Sequence, residues 1–122
     1  LQISNSESNG PYLSGCKAVG IKGHPARFPA KLPEFFIRML TNPGDWVVDI
    51  FSGSNTTGQV AETEGRRWMA FEALPEYVGT SAFRFLDKGM TSEAMRDLYD
   101  RIVAGESISI EEYRQQALLA LR

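Results

Sequence analysis

A chain of 122 residues has room for one domain with a single hydrophobic core. A hydrophobic fraction of 43% and an aromatic fraction of 11% exclude a disordered tail, and a net charge of −2 gives no global basic surplus for nucleic acid. The single cysteine, Cys16, excludes an internal disulfide or multi-cysteine metal site and suits a reducing cytoplasm.

No apolar run approaches the ~20 residues that cross a bilayer, and nothing resembles a signal peptide. No membrane role is expected. A first residue of Leu rather than Met is what a fragment or a processed chain would show. A local basic patch remains open, since Lys17, Lys22, Arg27, Lys31 and Arg38 fall in the first third.

Residues 1–15 are rich in Ser, Asn, Glu and Gly without a helical or strand period, and residues 1–22 read as an arm or loop. Within it, Asn9-Gly10-Pro11-Tyr12 reads as a turn with an aromatic anchor. The segment Gly23-His24-Pro25-Ala26-Arg27-Phe28-Pro29-Ala30-Lys31-Leu32-Pro33 follows. Its three prolines bar a helix before Pro33 and stiffen the backbone in an extended form. Pro33 then suits the first turn of a helix that runs to about Leu40, with Phe36, Ile37 and Leu40 on its apolar face. Thr41-Asn42-Pro43-Gly44-Asp45 ends it. His24 is the only histidine and shows no partner for base chemistry, so a structural hydrogen-bonding role is expected of it.

The centre of the chain runs from Trp46 to Glu72. A short apolar strand, Trp46-Val47-Val48-Asp49-Ile50-Phe51, is interrupted by one carboxylate. The small polar turn Ser52-Gly53-Ser54-Asn55-Thr56-Thr57-Gly58 leads into a segment of helical character, and a second strand, Trp68-Met69-Ala70-Phe71, ends in Glu72. This order predicts a β-α-β unit with a parallel sheet. Glu72 stands 23 positions after Asp49. An acid about 20 residues beyond a glycine-bearing turn suits ribose hydroxyls. Neither G-x-G-x-x-G nor a P-loop lysine is present, which disfavours a pyrophosphate ligand. An Asp before a small-residue turn can meet a cationic amino group instead, which points to S-adenosylmethionine (AdoMet). A plain structural α/β unit remains the alternative.

Beyond the centre, a helix is expected from Pro75 to about Leu86, with Tyr77, Ala82, Phe83 and Phe85 as apolar positions. Thr91-Ser92-Glu93 caps another that lasts to about Ala104, before Gly105. Ser109 opens a last one, Ile110 to Leu121. The stripes Met95, Leu98, Tyr99, Ile102 and Tyr113, Ala117, Leu118, Leu121 are expected to be packing faces.

Three stretches together resemble a known family. His24-Pro25-Ala26-Arg27-Phe28-Pro29, Leu32-Pro33-Glu34-Phe35-Phe36-Ile37 and Asp49-Ile50-Phe51-Ser52-Gly53-Ser54-Asn55-Thr56-Thr57-Gly58 resemble motifs X and I of the β-class DNA amino-methyltransferases. Phe71-Glu72 with Pro75-Glu76-Tyr77 is similar to the following motif II. Within that class the likeness is to the PvuII-type group, which methylates N4 of cytosine, and it spans roughly residues 10–90. The resemblance implies a partial Rossmann-like AdoMet-dependent methyltransferase fold. Its parts would be an arm over residues 1–22, motifs X, I and II over 23–90, and C-terminal helices over 91–122.

Carried over residue by residue, the resemblance implies that Asp49 receives the AdoMet ammonium group and that Phe51 lines the pocket. Gly53 would let the backbone come close. Ser54 and Thr56 would offer hydroxyls and amides to the carboxylate, where a helix N-terminus also favours an anion. Glu72 would hold the ribose hydroxyls, and Ala26, Arg27, Phe28 and Pro29 would close the methionine side. The reaction of the whole enzyme would be attack of an exocyclic amine on the AdoMet methyl group, with DNA as partner and the target base flipped out of its stack.

In the family, a polar-Pro-Pro-Tyr tetrad and a target-recognition region precede motifs X, I and II. This chain therefore resembles only the last third, and Asn9-Gly10-Pro11-Tyr12 lacks the first proline of the tetrad. No catalytic residue and no metal ligand is assigned, and the piece alone is expected to be inactive. Strands buried on both faces in a complete sheet should leave apolar surface here. Association is expected either with itself or with a missing N-terminal catalytic region or chain. The same motifs serve N6-adenine enzymes, which is one alternative; a non-catalytic AdoMet-binding or partner subunit is another, and an inactive remnant a third.

Overall fold

The computed structural model describes residues 10–120. Its elements run in chain order: α1 (Gly10–Val19), α2 (Lys31–Leu40), β1 (Trp46–Asp49), α3 (Thr56–Thr63), β2 (Arg67–Ala70), α4 (Pro75–Ser81), a 3-10 turn (Ala82–Phe85), α5 (Ser92–Val103) and α6 (Ile110–Ala120). They gather into two compact units, where length alone suggests one domain. The first is His24–Ala73; the second joins residues 10–23 to residues 74–120. The units divide after Gly23 and Ala73.

In the first unit β1 and β2 pair in parallel, with Trp46 opposite Arg67, Val47 opposite Trp68, Val48 opposite Met69 and Asp49 opposite Ala70. The β-α-β expectation holds, in a two-stranded sheet. Side chains alternate across a strand. Val47 and Trp68 pack against Ile37, Val60 and Ala61, the small core shared with α2 and α3. Trp46, Val48 and Met69 are exposed, as are Ile50 and Phe71 just beyond the strands. The surplus apolar surface expected of a partial sheet is thus present.

Helix α2 starts two residues earlier than expected, at Lys31, with Pro33 inside its first turn. A proline there forfeits no helical hydrogen bond, because the first N–H groups have no partner within the helix. Of its expected apolar face only Ile37 is buried; Phe36 and Leu40 are exposed. Arg66 fastens the end of α2 to the end of α3. Its Nε donates to Thr41 Oγ1 (2.9 Å), Nη2 to the Thr41 carbonyl (2.7 Å) and Nη1 to the Glu64 carbonyl (2.7 Å). Arg38 donates to both Glu64 carboxylate oxygens at 2.8 Å, and this contact holds the Glu64 carboxyl below its ordinary range. The pair faces solvent, where such contacts stabilise little.

The second unit opens with α1. Gly10–Val19 is a helix where a loop was expected. Tyr12 and Cys16, one turn apart, are both buried, and Gly15 lies against the Phe83 ring. Tertiary packing overrides the weak helix propensity of two glycines and a proline. Tyr12 is an aromatic anchor as expected, with the Arg84 guanidinium 4.5 Å above its ring.

The helix expected from Pro75 to Leu86 turns tighter at Ala82. Thr80 Oγ1 donates to the Glu76 carbonyl (3.1 Å) and Ser81 Oγ to the Val78 carbonyl (2.8 Å), side-chain bonds that bend a helix. Thr91 caps α5 as expected, accepting the Ala94 N–H at 3.1 Å. Met95, Leu98 and Tyr99 join Phe83, Leu86 and Tyr113 in the core. Leu118 does not: it is exposed on α6, whereas Tyr113 of the same expected stripe is buried. Leu121 lies outside the described residues. Among the described residues no helix is long and apolar enough to cross a membrane, and no cluster of metal-ligating side chains occurs.

Candidate functional site

The turn after β1 is held by backbone pairing that continues past both strands. The Phe71 N–H donates to the Asp49 carbonyl (2.9 Å), and the Ser52 N–H and Oγ each donate to the Phe71 carbonyl (3.0 Å). The chain therefore leaves both strands in register, and Asp49 and Glu72 flank the same turn. Asp49 Oδ1 accepts the Phe51 N–H at 3.0 Å, and Glu72 Oε2 accepts the Gly53 N–H at 2.9 Å. Gly53 has φ +54°, the left-handed region that favours glycine.

Asn55 ends the turn and starts α3. It is the one non-glycine residue described with positive φ (60°), a conformation Asn tolerates better than most. Its Oδ1 accepts the Gly58 N–H at 2.9 Å, so it is the helix N-cap. A Cβ on Gly58 would come within 2.5 Å of that oxygen. Ser54, Asn55 and Thr56 are all buried, with the Ser54 and Thr56 hydroxyls 3.5 Å apart. Sequence reasoning missed Asn55. Its signal was present: an Asn directly before a helix start, three residues ahead of a glycine.

The proline segment turns at Pro25–Ala26 and again at Ala30, where α2 begins, a departure from the expected uninterrupted extended run. The cause of the first turn is local. The Ala26 N–H donates to His24 Nδ1 and Arg27 Nε donates to the His24 carbonyl, each at 3.1 Å. His24 has the structural hydrogen-bonding role expected of it. Its ring also lies against Gly53, which sequence spacing could not reveal.

Asp49, Gly53, Ser54, Thr56 and Glu72 are thus brought together around one turn, and His24, just ahead of Ala26, Arg27, Phe28 and Pro29, lies against Gly53 of that turn. Phe51 stands apart from this packing, 85% exposed. A cleft of about 490 Å³ lined by Met90, Asp97, Arg101 and Tyr113 lies within the second unit and includes none of the sequence-predicted site residues. What the turn offers chemically is two carboxylates and small hydroxyls at the N-terminus of α3. That set suits a ligand with an amino group, a carboxylate and vicinal hydroxyls.

A family model described as DNA methylase matches residues 1–83. The chain belongs to this DNA methylase family. Among DNA methylases it is 68% identical to the type II methyltransferase M.PvuII of Proteus hauseri, over 90% of this chain and 33% of that protein. It is 43% identical to the type II methyltransferase M.BglI of Bacillus subtilis, over 48% of this chain and 17% of that one. The solved structure of PvuII DNA methyltransferase (cytosine-N4-specific) superposes with a TM-score of 0.87 over 90% of this chain and 39% of its own. The chain thus spans about a third of the length of M.PvuII.

Proposed function

We propose that this chain is the cofactor-binding part of a site-specific DNA methyltransferase that moves a methyl group from AdoMet to N4 of cytosine. The observation that carries this reading is the 68% identity to M.PvuII across nine-tenths of the chain. AdoMet fits the donor set at the turn. The Asp49 carboxylate meets its ammonium group, and Glu72, still tied to the Gly53 N–H, takes the ribose hydroxyls. Ser54, Thr56 and the start of α3 receive its carboxylate, since the end of a helix where N–H groups point outward favours an anion. Phe51, now in water, folds over the ligand as an apolar cover, and Ala26, Arg27, Phe28 and Pro29 close the methionine side. AdoMet supplies an electrophilic methyl group. This chain binds and orients that group and excludes water from one side of it.

DNA and the groups that hold the target base belong to the remaining two thirds of such an enzyme, supplied by a further segment or a partner chain in the cytoplasm. Until that part arrives, the exposed sheet face drives self-association. A second reading is favoured by the absence of a Pro-Pro-Tyr tetrad from these 122 residues: a subunit that binds AdoMet and performs no chemistry. Titration of AdoMet into the purified chain by calorimetry tests what both readings share. Saturable binding, weakened in Glu72→Ala, is expected; no heat of binding overturns both. Restored N4-methylcytosine formation on adding a tetrad-bearing partner separates the first reading from the second.

A further inference from the structure

We propose that His24 is the positioning residue of the cofactor site, a clasp that seats the proline segment on the turn after β1. The inference rests on the AdoMet reading above and adds a part that neither the ligand chemistry nor the motif roles assign. The Ala26 N–H donates to His24 Nδ1 at 3.1 Å, a bond that ties the imidazole to the backbone two residues on. The same residue's carbonyl takes the Arg27 Nε–H. Two bonds thus fold residues 24–27 back on His24 and fix where Ala26, Arg27, Phe28 and Pro29 emerge.

The ring's far edge meets the turn. A Cβ built on Gly53 would stand 3.1 Å from His24 Nε2, 3.2 Å from Cδ2 and 3.3 Å from Cε1, closer than carbon contacts normally come. Glycine at 53 is therefore favoured twice, by its φ of +54° and by the imidazole lying over it. Gly53 in turn donates to Glu72. His24, Gly53 and Glu72 form one chain of contacts linking the proline segment, the first turn and the acid after β2. The clasp sets the separation between the two walls of the site without itself touching ligand.

The test is a double-substitution cycle on the purified chain with His24→Ala, His24→Asn, Gly53→Ala and His24→Ala/Gly53→Ala. AdoMet affinity is read by calorimetry, and the Ala26 and Gly53 amides by NMR hydrogen exchange without ligand. His24→Ala should weaken AdoMet binding by up to about tenfold, the upper end of what one ordinary hydrogen bond is worth. It should also remove protection at Ala26 while leaving the unfolding midpoint nearly unchanged. His24→Asn, whose Oδ1 can stand where Nδ1 stood, should restore both. Gly53→Ala should cost less affinity in the His24→Ala background than alone, since the φ penalty is common to both and the ring is not. Equal costs in the two backgrounds, or unchanged amide protection in His24→Ala, overturn the clasp. Failure of the unsubstituted chain to bind AdoMet overturns the cofactor reading instead, and the amide protections then decide the clasp alone.

Discussion

The Gly53 N–H and the Glu72 carboxylate are joined at 2.9 Å across 19 residues of sequence. This bond locks the turn that follows one strand to the acid that follows its neighbour, so the acid is oriented before any ligand arrives. Such preorganisation spares a ligand the cost of ordering the site.

Glu72→Gln and Glu72→Ala should therefore separate. Gln keeps an oxygen for the Gly53 N–H and loses the charge; Ala loses both. We expect AdoMet affinity to fall about tenfold in Glu72→Gln and further in Glu72→Ala, with only the latter lowering the unfolding midpoint. Calorimetry and thermal denaturation read the two effects. Equal midpoints would show that the bond does not hold the turn.

Asp49→Asn retains an oxygen for the Phe51 N–H, so its fold should survive. The charge that would meet the AdoMet ammonium is gone, and affinity should drop by roughly ten- to a hundredfold, as for a lost charged hydrogen bond. An unchanged affinity in the same titration removes Asp49 from the site.

At Asn55 two costs add. Asn55→Ala removes the N-cap, worth ~1 kcal/mol, and puts a side chain that does not favour it at positive φ, worth ~1–2 kcal/mol. Asn55→Gly loses the cap without the backbone penalty. Chemical denaturation should rank the native chain above Asn55→Gly and Asn55→Ala lowest; the reverse order of the two variants would contradict the left-handed geometry.

Tyr113 gives the second unit a pH signature. Burial first, then the charge of Asp97, pushes its phenol up to about 12 from the usual 10. The folded value lies above the unfolded one, so its contribution to stability is complete below pH 10 and is lost as pH climbs from 10 towards about 12. Its hydroxyl donates to the Ala94 carbonyl and lies 3.2 Å from Asp97 Oδ2. Tyr113→Phe should cost ~1 kcal/mol at neutral pH and flatten the alkaline decline. Denaturant midpoints across that pH range measure both.

How far the sequence spoke depends on where the deciding contacts lie. The β1–α3–β2 unit was legible because its strand period, turn and acid all fall within one short stretch, and Thr91 and Gly105 bracket α5 with local chemistry. Helix α1 was not legible. Gly10, Pro11 and Gly15 argue against a helix, and only Phe83, far along the chain, makes Gly15 the residue that fits. Asp49 and Glu72 announced themselves through position at strand ends, whereas the seat of His24 on Gly53 depends on how the proline segment folds back. Leu118 shows the opposite failure: an apolar residue at the right spacing that is left 56% exposed.

The two-stranded sheet has a calorimetric consequence. Its outer face, with Trp46, Val48 and Met69, is hydrated in the folded state already, and the core beneath it rests on Ile37, Val60 and Ala61. Unfolding the first unit wets little apolar surface that was dry before, and that surface is what generates the heat-capacity increment and the denaturant slope. Both should fall below the ~12–15 cal/mol/K per residue and the matching slope of ordinary domains. The stability curve of this unit is correspondingly shallow, and a chain that came to cover the sheet would steepen it.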